Sequence, residues 1–327
     1  MTSRVHTVLS CLLLAVVALL PLCGPPTPAE AAPVVGPGPE PPPVGALRLR
    51  HVHASSLWTA SADAVAADLR RWRRDADLVT MTESAGDPAR QAVLTAPGWS
   101  AAWFPGTGPR PARRADASVA WRDAAWTERA RATLPVSERT FPSEEGAARS
   151  IPSNATAVVL EHRDTGVVLL VTVAHLPSLV ERPDGTGFDP APVLASRLAA
   201  YDDALAGYRA QVDRLTRRHD PDVRLVVADW NVDVKQPWAR EHLRAAWAGS
   251  GLVPAWPASY DGPGTFEDVR DGYVRSRVID GSLVDAGTSY VARPRVLAPV
   301  ASSDHRPYAT TIRLPRAPGE DGGGTVR

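Results

Sequence analysis

The sequence predicts an α/β sandwich in which stacked β-sheets are covered by helices. Short apolar runs rich in β-branched residues recur from Leu78 to Leu314. Few helical patterns separate them, which favours sheet packed on sheet over a regular strand–helix alternation. The chain has 327 residues, 44% of them hydrophobic, which is enough to bury a sizeable core.

The first segment reads as an address. Arg4 supplies a positive start, Val8 to Leu22 an apolar run, and Ala29-Glu30-Ala31 a small-residue cleavage site. Residues 1–31 are therefore expected to be a signal peptide and the protein to be secreted. The run is short of the roughly 20 residues of a membrane span, which makes an uncleaved anchor the lesser reading. Cys23 raises a lipid-anchor option, but Leu22 before it is bulky for that processing. Both cysteines, Cys11 and Cys23, lie in this segment. The mature chain then has no disulfide and no thiolate for metal or nucleophilic chemistry. Residues 32–46 form a Pro-rich linker, residues 315–327 a similar tail, and residues 47–314 one domain without internal repeats.

Within the domain, Leu47 to His53 alternates like a strand. Ser61 is placed to cap a helix running to about Arg74, with Val65, Leu69 and Trp72 on one side. Leu78 to Thr82 is a short apolar strand. Ala155 to Arg163 and Val167 to Ala174 flank Asp164-Thr165-Gly166, a hairpin signal. Pro192 opens a long helix whose Leu194, Leu198, Tyr201, Leu205, Tyr208, Val212 and Leu215 make one apolar stripe. Val223 to Ala228 reads as a strand buried on both faces. Pro237 starts a helix carrying Trp238, Leu243 and Trp247, closed by Gly249 and Gly251. Further strands are expected near Val278 to Val284, Tyr290 to Val296 and Tyr308 to Leu314.

The 36 basic and 36 acidic residues cancel, which excludes a broadly cationic nucleic-acid coat protein but not a local basic groove. All basic residues but Lys235 are arginine, a bias that weakens any reading of individual arginines as phosphate contacts.

Chemistry concentrates at strand ends. Glu83 follows Leu78–Thr82, His175 follows Val171–Ala174, Asp229 and Asn231 follow Val226–Ala228, Asp280 follows Val278-Ile279, and Asp304-His305 precede the last strand. A rigid scaffold presents reactive groups to a cleft at such positions. Each residue alone is an ordinary turn or cap residue, but the set combines carboxylates for a hard cation, two imidazoles and a neutral amide. Asn231 is one of only two asparagines, and on an extended segment it would point the same way as Asp229.

These segments resemble the endonuclease/exonuclease/phosphatase superfamily, which includes pancreatic-type DNases, apurinic endonucleases, inositol-polyphosphate 5-phosphatases and bacterial sphingomyelinases. The matching stretches are Asp77–Glu83, Val173–Leu176, Ala228–Asn231, Gly264–Phe266, Arg277–Asp280 and Ser302-Ser303-Asp304-His305-Arg306-Pro307, in the superfamily's order. The resemblance implies a DNase I-like four-layer sandwich, with two packed mixed β-sheets flanked by helices. It implies Glu83 as principal Mg²⁺ ligand, Asp229 as the carboxylate that orients or deprotonates the attacking water, and Asn231 as a phosphate donor. It implies His305 as the catalytic histidine held by Asp280, His175 as a second imidazole at the phosphate, and Asp304 as a further metal- or phosphate-site carboxylate. These roles suit phosphoester hydrolysis, where charge grows on the non-bridging oxygens.

The sequence also departs from the pattern. The superfamily's first strand ends in a metal-supporting asparagine, and His53 is taken as its equivalent here, a candidate ligand that would favour Mn²⁺ or Zn²⁺ unless it only hydrogen-bonds nearby. Met81-Thr82 replaces a usual Leu-Gln, Ala228 a glycine, and Gly281 an aromatic residue. The expected activity is a secreted, Mg²⁺- or Mn²⁺-dependent phosphodiester hydrolase acting on a phosphate-ester substrate, nucleic acid first. It is expected to work as a monomer without a stable membrane anchor. Sphingomyelinase-like or inositol-phosphate hydrolysis and a non-catalytic binding module are the alternatives. Arg110, Arg113 and Arg114 could follow a phosphate backbone, and Trp99, Trp103 and Phe104 could stack on bases, or these could be a solvated loop and core packing. No long hydrophobic hairpin of the membrane-entering kind is evident.

Overall fold

A computed structural model describes residues 47–55, 60–83, 93–103, 117–137, 154–189, 192–270, 272–286 and 291–314. Residues 1–46, read above as signal peptide and linker, Phe104, the stretch with Arg110, Arg113 and Arg114, and residues 315–327, read as a tail, lie outside the described residues.

In chain order the elements are β1 (Arg48–Ser55), α1 (Ala62–Trp72), β2 (Leu78–Thr82), β3 (Trp99–Trp103), β4 (Ala117–Arg122), β5 (Trp126–Pro135), β6 (Asn154–His162), β7 (Val168–His175), α2 (Pro192–His219), β8 (Val223–Asp229), α3 (Pro237–Ala246), β9 (Leu252–Pro254), β10 (Phe266–Arg270), β11 (Tyr273–Arg277), β12 (Asp280–Asp285), β13 (Val291–Val296) and β14 (Tyr308–Arg313). They build two six-stranded mixed sheets, ordered β13-β14-β1-β2-β4-β3 and β5-β6-β7-β8-β12-β9, and a separate hairpin, β10-β11. β1 runs parallel to β2, and β7 parallel to β8, while β14 and β12 are antiparallel to their neighbours.

Side chains alternate between the faces of each strand, and both faces are covered. Leu78, Val119, Trp121, Val158, Leu160, Leu169, Val171, Leu225, Val227 and Ile312 fill the space between the sheets. Val79 and Met81 face outward against Val65, Leu69 and Trp72 of α1. Val226 and Ala228 face the other way, with Tyr201, Leu205, Tyr208 and Val212 of α2 and Leu243 of α3. The order is thus helix, sheet, sheet, helix, the expected four layers. Ser61 caps α1 by accepting the Ala64 N–H at 3.2 Å.

Sequence patterning missed β3, β4, β5, β9, β10 and β11. β5 is an edge strand rich in Arg and Glu, half exposed along its length, so it lacks the apolar signature. The β10-β11 hairpin carried a readable sign, Asp271-Gly272, the residue pair that two-residue hairpin turns favour. Trp99 is buried beneath Arg73 and Arg122, each with its guanidinium 5.2 Å from the ring, so Trp99 serves packing and not base stacking.

The contact between α2 and the chain after β5 depends on one missing methyl. A Cβ on Gly207 would lie 1.8 Å from the Val136 carbonyl oxygen. Alanine would gain up to about 1 kcal/mol of helix propensity, but overpacking costs about 1–3 kcal/mol and here meets backbone. Gly207→Ala is expected to lower Tm, by about 2–4 °C for each kcal/mol of net loss. Thermal unfolding checks this, and an unchanged or raised Tm would show that the backbone yields freely.

Candidate active site

The strand directions bring distant parts of the chain to one end of both sheets. The parallel pairs β1/β2 and β7/β8 put their C-terminal ends together, carrying Ser55, Glu83, His175 and Asp229. The antiparallel β12 and β14 contribute their beginnings at that same end: Asp280 stands opposite Asp229 in register, and His305 precedes β14. Polar contacts then cross from sheet to sheet.

Asp280 is the hub. Its Oδ2 lies 2.8 Å from His305 Nδ1, and its Oδ1 accepts from Ser55 Oγ at 3.2 Å and lies 3.3 Å from His53 Nε2. Asp280 is 2% exposed and His305 7%. Burial alone would raise the Asp280 carboxyl, but the charge and hydrogen bond of His305, with His53, outweigh it and hold the carboxyl far below the usual range. Burial alone would likewise lower the His305 imidazole. The Asp280 charge and hydrogen bond, then Asp229 and Glu83, win and push it up to about 9. The pair is an imidazolium–carboxylate at neutral pH. The Thr265 hydroxyl oxygen accepts from the Ile279 and Asp280 amides at 3.1 and 3.2 Å, and Trp256 Nε1 donates to the Asp280 carbonyl at 2.9 Å. A Cβ on Gly281 would come 3.0 Å from the Trp230 and Trp256 rings, so an aromatic residue there has no room beside these two tryptophans.

Asp229, 1% exposed, is perturbed in the opposite sense. Burial, then the Asp280 charge across the ladder, raises its carboxyl, opposed by His175 and His305. His175 Nε2 lies 3.6 Å from Asp229 Oδ2 and 3.8 Å from Glu83 Oε1, so this imidazole sits between the two acids. Glu83 follows β2 with φ 56°, a left-handed conformation unusual for a side chain of this size. Such strain persists where the surroundings require it and clusters at functional sites.

Asn231 reaches the same region by another route than expected. β8 ends at Asp229, and Asn231 is left-handed at φ 52°, so the two side chains do not share a face of an extended segment. The chain turns instead. Asn231 N–H donates to Asp229 Oδ1 at 3.0 Å, and its Nδ2 donates to the Leu176 carbonyl at 2.8 Å. Arg277, itself 5% exposed, donates to the Asn231 carbonyl at 3.2 Å and to Asp268 at 3.1 Å, and pairs with buried Glu181.

Asp229, Asp280 and His305 each offer a ligand atom within 4.8 Å of one another. Two residues read as candidate ligands are not members of that group. His53 is fully buried with its ring nitrogens against Thr80 and Asp280. Asp304 is exposed and is not among the converging side chains. The strand does not end at His53 either. It continues to Ser55, which pairs with Thr82 immediately before Glu83, with Ser55 Oγ and Thr82 Oγ1 2.5 Å apart. Sequence reading missed Ser55, Thr80, Thr82 and Thr265, small hydroxyl residues that look like ordinary strand or turn choices. A cavity of about 400 Å³ lies at the opposite end of the strands, lined by Arg48, Arg50, Asp77, Trp126 and His162 among others, and contains none of these groups.

No family model matches the sequence, and no curated protein does. Solved structures match over nearly their whole length. An endonuclease/exonuclease/phosphatase family protein of Bacteroides thetaiotaomicron is 14% identical at TM-score 0.56, covering 82% of this chain and 98% of that one. A mannosyl-6-phosphatase of the same organism is 15% identical at TM-score 0.57, covering 81% and 100%. D. rerio TDP2, complexed with a single-strand DNA product, is 12% identical at TM-score 0.56, covering 82% and 99%. With its layer order, its mixed sheets and its polar cluster at the strand ends, this chain has the fold of the endonuclease/exonuclease/phosphatase proteins.

Proposed function

We propose that the protein is a secreted, divalent-metal-dependent phosphoesterase that hydrolyses phosphodiester bonds by attack of water, with nucleic acid as its leading substrate. The observation that carries this reading is the buried Asp280–His305 ion pair beside Asp229, whose carboxyl is pushed up. Two neighbouring carboxyls driven in opposite directions divide the work of holding and moving protons.

With Nδ1 on Asp280, the His305 imidazolium has Nε2 left to donate to a phosphate oxygen or to a leaving oxygen. Asp229 is suited to take the proton of the attacking water, because a raised carboxyl is a better base near neutral pH. His175, between Glu83 and Asp229, adds a donor on the same side. The second hydrogen of the Asn231 amide supplies a neutral one. The donor set also fits a hard cation. Glu83 is an oxygen ligand held in a strained conformation, and the facing carboxylates of Asp229 and Asp280 create a negative field in a buried place. Glu83 would hold Mg²⁺ or Mn²⁺, and the bound ion would neutralise charge growing on the non-bridging oxygens.

The test is hydrolysis of bis-p-nitrophenyl phosphate with Mg²⁺, with Mn²⁺ and with excess chelator. Turnover with either metal and none with chelator is expected, and full activity in chelator overturns metal dependence. A panel of plasmid DNA, RNA, sphingomyelin and inositol phosphates then ranks the substrates. A lipid reading has one observation in its favour. Val269, Tyr273 and Val274 of the β10-β11 hairpin are 69%, 50% and 76% exposed, and Phe266 at its base packs 4.8 Å from the His305 ring. Among the described residues no helix is long and apolar enough to cross a membrane. For export, terminal sequencing of secreted material is expected to begin at Ala32, and a product retaining Val8 to Leu22 would refute cleavage.

A further inference from the structure

Behind the Asp280–His305 pair lies a line of buried groups that the hydrolytic scheme leaves unused. His51 and His53 stand two apart on β1, both 0% exposed. Thr80 of β2 is the register partner of His53, and its Oγ1 lies 2.8 Å from His51 Nε2 and 2.9 Å from His53 Nδ1. His53 Nε2 lies 3.3 Å from Asp280 Oδ1, an ion-pair distance whose alignment falls short of a hydrogen bond, unlike the His305 contact at 2.8 Å. Tyr308 packs against both rings, with centroids 6.0 Å from His51 and 5.4 Å from His53.

The chemistry of the donors gives this line one direction. An ionised carboxylate only accepts, so the His53 nitrogen facing Asp280 must carry the hydrogen. In a neutral imidazole that leaves Nδ1 bare, and the Thr80 hydroxyl must donate to it. A hydroxyl has a single hydrogen, so Thr80 Oγ1 then accepts from His51, whose hydrogen must sit on Nε2. His51 Nδ1 is left bare, and it is indeed a buried nitrogen with no partner among the described residues. Burial, then proximity to His53, holds His51 well below the usual imidazole range and so neutral, as this pattern requires.

We infer that His53 is a positioning residue for His305: with its tautomer set by Thr80 and His51, it anchors Oδ1 of Asp280 so that Oδ2 stays on His305 Nδ1. This rests on the reading of Asp280–His305 as the working pair. Ser55 adds a second donor to the same oxygen, and the Thr82 hydroxyl, 2.5 Å from Ser55, completes that branch. The carboxylate is thereby held from the other sheet through both oxygens. Outer partners of this kind commonly change activity by about 10- to 100-fold without touching the substrate.

Two measurements on the full mature chain test it. Ring-nitrogen NMR of histidine-labelled protein needs no substrate, and is expected to find the hydrogen of both His51 and His53 on Nε2. A His53 hydrogen on Nδ1, or on both nitrogens, overturns the inference. The second compares His53→Gln, whose amide can reach as far as Nε2 did, with His53→Asn, which reaches only as far as Nδ1. On bis-p-nitrophenyl phosphate, His53→Asn is expected to lose about 10- to 100-fold in kcat with little change in KM, and His53→Gln to recover most of it. Equal loss in both folded variants, or no loss in either, overturns it. If the wild-type protein hydrolyses no phosphoester at all, the functional reading fails, and the NMR result still decides the tautomer pattern on its own.

Discussion

Asp280→Asn is expected to lower kcat on a phosphodiester by about 10²- to 10⁴-fold, the scale of a positioned acid–base group. The substitution keeps the shape but removes the charge that raises His305. A second consequence is a change in pH dependence. With the imidazolium persisting to about pH 9, wild-type activity is expected to fall as pH rises through about 9. In Asp280→Asn that alkaline limb should move to lower pH. His305→Ala should lose at least as much as Asp280→Asn, and the double variant little more than His305→Ala, because groups acting as a unit are not additive. Kinetics of the four proteins across pH decide this, and independent, multiplicative losses would assign the two residues separate roles. The pair also bears on stability. His305 has its folded pKa raised above its unfolded value near 6.5, so its contribution is fully present below about pH 6.5 and lost as pH rises through about 9. Asp280 is depressed, so its contribution is present above about pH 4 and lost in strong acid.

Glu83→Gln is expected to reduce turnover by at least about 10³-fold, the upper range for losing one electrostatic stabiliser, while leaving Tm nearly unchanged. In the proposed scheme Glu83 contributes a ligand charge, and its side chain is not part of the apolar clusters that hold the sheets. The variant should also lose the thermal stabilisation that Mg²⁺ or Mn²⁺ gives the wild type. Turnover and Tm with and without metal measure both effects. An active Glu83→Gln, or one that still gains the wild-type Tm increment from metal, would remove Glu83 from the metal site.

Much of this site was legible because an apolar strand that ends in a charged residue announces a strand end. Glu83, His175, Asp229 and Asp280 all follow such runs, and His305 precedes one. The errors have physical causes. His53 was read as the strand end because the alternating pattern was followed from Leu47 only to His53, yet β1 continues to Ser55 beside Thr82. That two-residue shift kept the correct face, since side chains alternate with period two, but exchanged a supporting histidine for the residue next to Glu83. Asn231 was placed by assuming extended backbone, whereas the left-handed turn after Asp229 is set by hydrogen bonds to Asp229, Leu176 and Arg277 that only the fold brings near. The edge strand β5 escaped notice because solvent-facing Arg and Glu erase the apolar signal.

Asp280 belongs to one sheet, while Ser55, His53 and His305 come from the other or from the loop entering it. The mouth of the sandwich is therefore closed by a polar clasp between layers whose interior is packed mainly with apolar side chains. A ligand that ties Glu83 to the Asp229 side of the mouth would close a second clasp beside the first. Neither sheet could then peel away locally without giving up that ligand, so its binding free energy adds to the global unfolding free energy, about 2.7 kcal/mol at a hundredfold excess over Kd. Occupancy of the cleft and resistance of the whole domain to unfolding and proteolysis become one thermodynamic quantity.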